Sequence, residues 1–233
     1  MSEAEAAKQL RSKGDFKFHL IQHIVAWSVF VGVLCVNYWT GNYVDKFVEN
    51  LPPAHDLVFE YLPSLDLSLI HFWGFVTFLV LAFYAGLRLE GWENVPYALW
   101  TFSVLIFVRA IFTTLTPLGL PHDAPVYHQH GVYNYFLKYF DFRGTMFFSG
   151  HTSFPFMGFL IYRTPWVKKL CLALSIILAC EVLISRLHYS IDVAAAYFIA
   201  YGVYRAVGFI FFRVEYQILR YAYKVPETQT ATH

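Results

Sequence analysis

Two short stretches of the sequence each contain a histidine beside residues that can assist phosphate chemistry. The first is Ser149-Gly150-His151-Thr152 and the second is His188-Tyr189-Ser190-Ile191-Asp192. Two histidines and one carboxylate can attack a phosphate ester, protonate its leaving group and orient the attacking ring without a metal. The sequence therefore predicts His188 as nucleophile, Asp192 as its orienting acid and His151 as general acid and then general base.

The four-residue spacing from His188 to Asp192 puts the two side chains one turn apart if this stretch is helical. A carboxylate in that position can accept the Nδ1 proton of the imidazole, fix its tautomer and direct Nε2 outward. The same two residues also fit a buried pair that only stabilises a helix junction. The sequence leaves both interpretations open.

Ser149 and Gly150 are candidate substrate-binding residues because they precede a predicted helix. Gly150 lets the backbone approach a ligand closely, and N–H groups at a helix start point at a bound phosphate. The alternative is an ordinary helix cap formed by Ser149 or Thr152.

Three arginines are candidates for neutralising phosphate oxygens, namely Arg109, Arg143 and Arg186. Arg109 lies inside an apolar run, where an arginine is costly and usually functional. A structural ion pair between Arg109 and Glu181, another charge inside an apolar run, is the alternative. Arg186 is close to His188 and fits either the phosphate or lipid headgroups, whereas Arg143 fits a solvated loop position as well as a catalytic one.

The composition indicates a membrane protein rather than a soluble domain. The chain has 233 residues, of which 58% are hydrophobic and only 14% are charged, against about 25% charge in soluble domains. The net charge of +1 gives no indication of nucleic-acid binding. Six apolar runs predict an all-α integral membrane bundle of six transmembrane helices, with a long outer loop at 116–150 between spans three and four. The predicted spans are 19–39, 67–88, 95–115, 151–163, 167–187 and 190–212.

The basic residues predict the orientation of these spans. With the N-terminus inside, 12 of the 17 lysines and arginines fall on the cytoplasmic side and four on the outer side. This bias predicts a membrane catalytic domain over 17–216, flanked by cytoplasmic tails at 1–16 and 217–233. Both histidine motifs then lie at the non-cytoplasmic face. Residues 44–63 fit a short amphipathic segment on the membrane surface or a structured loop.

The other histidines and the cysteines do not indicate a cofactor site. His122, His128 and His130 lie in the long loop without a carboxylate or cysteine frame, so they are interpreted as surface residues rather than metal ligands. No metal or other cofactor is predicted, and the oligomeric state is left open.

Several motifs together resemble the type 2 phosphatidic acid phosphatase superfamily. They are Arg109 followed by Thr116-Pro117-Leu118, Phe148-Ser149-Gly150-His151-Thr152, and Ser185-Arg186-x-His188-Tyr189-x-x-Asp192-Val193. Over about residues 67–212 the chain is most similar to the sphingomyelin synthase-like lipid phosphotransferases. The resemblance implies a six-helix membrane fold and metal-independent phosphoryl transfer through a phosphohistidine. Its nucleophile, orienting acid and acid/base histidine correspond to His188, Asp192 and His151.

One position separates two branches of that superfamily. The phosphatase branch usually has an arginine six residues before the last histidine, where this chain has Val182; its arginine is Arg186, as in some ceramide phosphotransferases. We therefore expect a lipid phosphotransferase that moves a phosphoryl headgroup from a phospholipid to a lipid hydroxyl. The alternatives are a lipid phosphate phosphatase, with water as acceptor, and a non-catalytic transporter, scramblase or scaffold.

Overall fold

Six α-helices dominate the part of the chain that the computed structural model describes, which is residues 16–48, 50–121 and 144–222. In chain order they are α1 (Phe16–Val48), α2 (Ser68–Tyr84), α3 (Val95–Leu115), α4 (Gly150–Ile161), α5 (Pro165–Ile184) and α6 (Ser190–Ala222). A π-helical turn (Ala85–Leu89) continues α2, and two 3₁₀ helices (Leu57–Glu60 and Trp92–Asn94) lie in the connections. Within these ranges no strand occurs, so the all-helical prediction is confirmed there.

Four of the helical segments are long and apolar enough to cross a membrane. They are Phe16–Lys46, Ser68–Leu89, Trp92–Leu115 and Ser190–Tyr221, and they correspond to predicted spans one, two, three and six. The hydrocarbon core of a membrane contains no water to bind backbone N–H and C=O groups. A helix satisfies these groups internally and can therefore cross the membrane. The four helices therefore indicate an integral membrane protein.

The other two predicted spans do not have the length or composition of a full span. Helix α4 has only 12 residues, or about 18 Å at 1.5 Å per residue, against about 30 Å of hydrocarbon. Helix α5 has 20 residues but carries Lys168, Lys169 and Glu181. The bundle thus has six helices in its described part, of which four rather than six meet the requirement for crossing a membrane.

Helix α4 lies at the centre of the bundle, against α5 and α6, while α1 packs on α3 and α2 packs on α5. Met157 of α4, Leu105 of α3 and Ala200 of α6 are buried in one hydrophobic cluster. This arrangement puts the start of α4 beside the start of α6. The Ser149 N–H donates to the Asp192 carbonyl oxygen at 3.2 Å, so the two histidine motifs meet at one end of the bundle.

The 44–63 stretch is the structured loop of the two alternatives, since α1 continues to Val48 and only the Leu57–Glu60 turn is helical beyond it. Helix α6 continues past residue 216, the predicted end of the membrane domain, to Ala222. The predicted loop at 116–150 is described only at 116–121 and 144–150. Four candidate residues lie outside the described residues, namely His122, His128, His130 and Arg143.

Candidate active site

His188 lies in the turn between α5 and α6, and only 6% of its surface is exposed. Its Nδ1 is 2.8 Å from the carbonyl oxygen of Met146. Because a carbonyl oxygen only accepts hydrogen bonds, Nδ1 carries a proton and donates it there. In the neutral ring, Nε2 is then the nitrogen that keeps a lone pair. Backbone geometry before α4 thus fixes the tautomer that a histidine nucleophile needs.

Asp192 lies near His188 but does not make the direct hydrogen bond that its spacing predicts. Its Oδ2 is 3.6 Å from His188 Nδ1, which is too long for a hydrogen bond, and accepts from the Tyr189 N–H at 2.9 Å. A carboxylate at the third position of a helix that accepts from the preceding N–H forms half of a capping box. Asp192 therefore secures the start of α6, while its fully buried charge lies beside the His188 ring.

Arg109 of α3 is buried and holds the loop that precedes α4. Its Nη2 donates to the Thr145 carbonyl at 2.7 Å and its Nε donates to the Phe148 carbonyl at 2.9 Å. The predicted alternative of an Arg109–Glu181 ion pair is wrong, because Glu181 pairs with a histidine of α2 instead. Since Met146 lies between the two carbonyls that Arg109 binds, this arginine fixes the segment that contacts His188.

Thr113, one turn after Arg109 on α3, supports the same loop. Its Oγ1 donates to the Phe147 carbonyl at 2.9 Å. Four successive carbonyl groups, from Thr145 to Phe148, therefore accept hydrogen bonds from α3 or from His188. The loop is thus held by hydrogen bonds to its backbone, and its Phe148 side chain is also buried in the central hydrophobic cluster.

Ser149 and Gly150 lie where the loop meets α4, and both make contacts within the protein. Ser149 is the N-cap of α4, and its Oγ accepts from the Thr152 N–H at 3.3 Å. A Cβ atom on Gly150 would make an ordinary van der Waals contact with Arg109 Nε at 3.4 Å, so the start of α4 lies directly beside the guanidinium. A role for either residue in substrate binding stays a prediction.

His151, the second residue of α4, packs against a further histidine. The ring centroids of His151 and His71 are 4.0 Å apart, and the Phe75 ring lies 4.6 Å from His151. His71 Nδ1 is 2.9 Å from Glu181 Oε2, and both side chains are almost completely buried. His151 is also within electrostatic range of His188. The buried Glu181 and His71 thus form a row with the half-buried His151, which lies near His188.

Sequence reasoning missed two members of this arrangement. His71 lies inside a predicted span, and an ionisable residue there is a functional candidate by its position alone. Met146 acts through its carbonyl oxygen, so its side chain carries no signal. The alternative pairing of Glu181 with Arg109 is replaced by the pair with His71, because the packing of α2 on α5 brings His71 to Glu181.

Arg186 is buried and contacts the loop after α1. Its Nη2 donates to the carbonyl oxygens of Phe59 and Leu62 at 2.8 Å and 2.7 Å. Its guanidinium carbon lies 4.1 Å from the centroid of the Phe59 ring. Nη1 is buried and makes no hydrogen bond within the described residues.

The described residues contain no evident metal site. Within 16–48, 50–121 and 144–222, no group of three or more histidine, cysteine, aspartate or glutamate side chains is arranged to hold a metal ion. Arg143, the remaining predicted phosphate ligand, lies outside these ranges.

Part of the chain that contains both histidine motifs matches a protein family. Residues 144–208 match the family model described as PAP2 superfamily C-terminal. This match supports the type 2 phosphatidic acid phosphatase superfamily. The matched stretch includes His151, His188 and Asp192, and it extends from the loop bound by Arg109 into α6. A comparison with curated proteins finds no match.

The superfamily match limits the chemistry in general terms. Members of the superfamily are generally metal-independent phosphatases and act on lipid phosphate substrates. The match therefore suggests a member of a superfamily of lipid phosphatases and phosphotransferases, embedded in a membrane by apolar helices.

Proposed function

We propose that the protein is a membrane lipid phosphotransferase, similar to sphingomyelin synthases, which transfers a phosphoryl headgroup from a phospholipid to a lipid hydroxyl through a phosphohistidine. The observation that carries the proposal is the hydrogen bond from His188 Nδ1 to the Met146 carbonyl. It reserves Nε2 for attack on phosphorus, at the end of the bundle where His151 also lies.

In the first half-reaction, His188 Nε2 attacks the phosphorus of the donor and a P–N bond forms. The P–O bond to the diacylglycerol oxygen breaks, and this oxygen takes a proton from His151. General acid catalysis of this kind contributes most when the leaving group is a poor one, such as an alkoxide. The headgroup phosphate is then held covalently on His188.

In the second half-reaction, the acceptor hydroxyl gives its proton to His151 and its oxygen attacks the same phosphorus. The P–N bond breaks, so His188 returns to its neutral form with the Nδ1 proton still bound to Met146. Water in place of the lipid hydroxyl would complete a hydrolysis. A phosphotransferase and a phosphatase thus share the intermediate and differ in the acceptor.

The remaining buried groups have supporting roles in this proposal. The Asp192 carboxylate, 3.6 Å from His188 Nδ1, stabilises the positive charge that the ring gains as the P–N bond forms. Glu181 and His71 act as positioning residues that fix the His151 ring. Arg186, through Nη1, and the N–H groups at the start of α4 are the candidate ligands of the phosphate oxygens.

The proposal places the reaction at the non-cytoplasmic face of the membrane, with both termini in the cytoplasm. It is supported by the distribution of lysine and arginine between the predicted loops. It is also supported by the position of both histidine motifs at the same end of the bundle.

The proposal is tested with purified protein and phospholipids labelled in the headgroup phosphate, phosphatidate among them, assayed in EDTA with and without diacylglycerol and ceramide. We expect a labelled new phospholipid that forms only when an acceptor lipid is present. Labelled water-soluble phosphate product that is independent of the acceptor would establish the phosphatase instead. A folded, monodisperse sample that forms neither product would favour the non-catalytic alternative.

The matched control for this assay is a second histidine on the loop side of the bundle. His55 lies in the loop after α1, and its side chain is 76% exposed. We expect His188→Ala to abolish product formation and His55→Ala to leave it at the wild-type level. Equal activity of the two variants would overturn the assignment of His188.

A further inference from the structure

Residues before and after His188 form hydrogen bonds with the loop that follows α1. We call residues 52–66 of this loop the clamp segment. Before His188, Arg186 donates to two carbonyls of the segment, and the Leu65 N–H donates to the Ile184 carbonyl at 3.2 Å. After His188, the Tyr189 hydroxyl accepts from the Ala54 N–H at 2.9 Å. The contacts therefore bracket His188 without using its side chain.

Asp56 makes two further attachments to the turn. Its Oδ2 accepts from the Ser190 N–H at 2.6 Å and its Oδ1 accepts from the Ser190 hydroxyl at 3.0 Å. Ser190 is the first residue of α6, so a carboxylate of the clamp segment caps the helix next to His188. A negative charge at a helix N-terminus is favourable, and this cap adds a charge-assisted hydrogen bond.

Tyr189 links the clamp segment to a second loop. Its hydroxyl donates to the Gly119 carbonyl at 2.9 Å while it accepts from Ala54. Burial raises the pKa of the Tyr189 phenol, which keeps the proton that this donation requires. The backbone at Gly119 is so close to the carbonyls of Leu51 and Pro52 that a Cβ atom there would clash. Two loops and the His188 turn thus form one packed unit.

Arg186 adopts a costly backbone conformation to reach the clamp segment. Its φ angle is 54°, in the left-handed region that residues other than glycine rarely adopt. In return its guanidinium stacks on the Phe59 ring, which in turn lies 5.8 Å from the Tyr189 ring. The contact with the clamp segment thus combines a left-handed backbone conformation with a buried guanidinium.

Water is the acceptor that competes with a lipid hydroxyl at this site. The clamp segment contacts the turn at Arg186, Tyr189 and Ser190, and only 6% of the His188 surface is exposed. Exclusion of water from a reactive intermediate is a recognised function of closed active sites.

We propose that the contact of Phe59 with Arg186 and the Asp56–Ser190 cap determine the acceptor, by keeping bulk water from phospho-His188 while a lipid hydroxyl enters from the bilayer. This inference rests on the proposed function. In both outcomes the acceptor oxygen forms a bond to phosphorus, the P–N bond breaks and the acceptor proton passes to His151. Only the identity of the hydroxyl differs.

The test measures both products of one labelled donor in the same reaction, as the ratio of water-soluble phosphate product to lipid product. We expect Phe59→Ala to raise this ratio several-fold, and Asp56→Asn, which keeps one acceptor oxygen, to raise it less. Tyr61→Ala is the matched control, since Tyr61 is an aromatic residue of the same segment that is 84% exposed. Its ratio should equal that of the wild type.

Methanol provides a second readout, because it is a small hydroxyl that approaches from water. Phe59→Ala should form a methyl ester of the headgroup phosphate faster than the wild type does. If Phe59→Ala is not monodisperse, Phe59→Leu replaces it. An unchanged product ratio in a folded variant with normal turnover overturns this inference alone, as does an equal decrease of both products. A wild-type protein without either product overturns the proposed function and this inference with it.

Discussion

His71 Nδ1 lies 2.9 Å from Glu181 Oε2 in the interior of the bundle, where both side chains are shielded from solvent. Burial of a carboxylate is costly unless a partner compensates it. The face of His71 lies against His151, with ring centroids 4.0 Å apart. The pair therefore stabilises a fixed position of His151, which is the proposed acid and base.

The role of His151 predicts a dependence on the leaving group. His151→Ala should lower kcat on a phospholipid donor by on the order of 10²-fold or more, since general acid catalysis is lost. A p-nitrophenyl phosphodiester with the same headgroup should be affected much less, because its leaving group needs little protonation. Steady-state rates on both donors test this. Equal losses on the two donors would contradict the assignment of His151 as the acid.

Glu181→Gln should reproduce the pattern of His151→Ala in weaker form. The amide can still contact His71 but no longer fixes its proton and charge, so the position of His151 becomes less defined. The loss of kcat should be larger on the phospholipid than on the p-nitrophenyl donor. In combination with His151→Ala, the Glu181 substitution should add little further loss, because the two residues act as one unit.

A buried glutamate elsewhere in the bundle separates this effect from general damage. Glu215 of α6 is also almost completely buried, and it accepts from Gln22 at 3.0 Å. Glu215→Gln should alter thermal stability without changing the ratio of rates on the two donors. If it changed that ratio as Glu181→Gln does, the positioning role would have no support.

Asp192→Asn should slow the reaction without removing it. The amide oxygen can still accept from Tyr189, but the negative charge beside the His188 ring is lost. Unit charges about 4 Å apart interact by a few kcal/mol at the effective dielectric of a protein site, so we expect a decrease on the order of 10²-fold. Asp66→Asn is the control, since Asp66 accepts from the Ser68 N–H at the start of α2. That variant should keep its activity.

Arg109→Lys should destabilise the protein by about 1–3 kcal/mol. A lysine is a point charge without the planar fork that donates to both Thr145 and Phe148. Thermal unfolding in detergent measures the effect, with Arg205→Lys as control because Arg205 lies exposed on α6. The loss of activity should exceed the fraction unfolded, because the Met146 carbonyl is no longer held against His188. A variant as stable and active as the wild type would contradict this account of Arg109.

Apolar run length predicted α1, α2, α3 and α6, because membrane crossing imposes a length on each helix. Counting of spans also predicted that His151 and His188 lie at the same end of the bundle. The sequence could not predict how the two rings are held. His188 is oriented by the backbone carbonyl of Met146, and the Glu181 that supports His151 is paired with His71 of α2.

The central claim is a covalent bond between phosphorus and His188, and rapid quenching tests it most directly. Protein mixed with a donor labelled in the headgroup phosphate should form an acid-labile, base-stable labelled enzyme before product accumulates. We predict that the label lies on the peptide containing His188 and is absent from His188→Ala, whereas His55→Ala is labelled like the wild type. Label that persists in His188→Ala, or that lies on another residue of the wild type, would contradict the account.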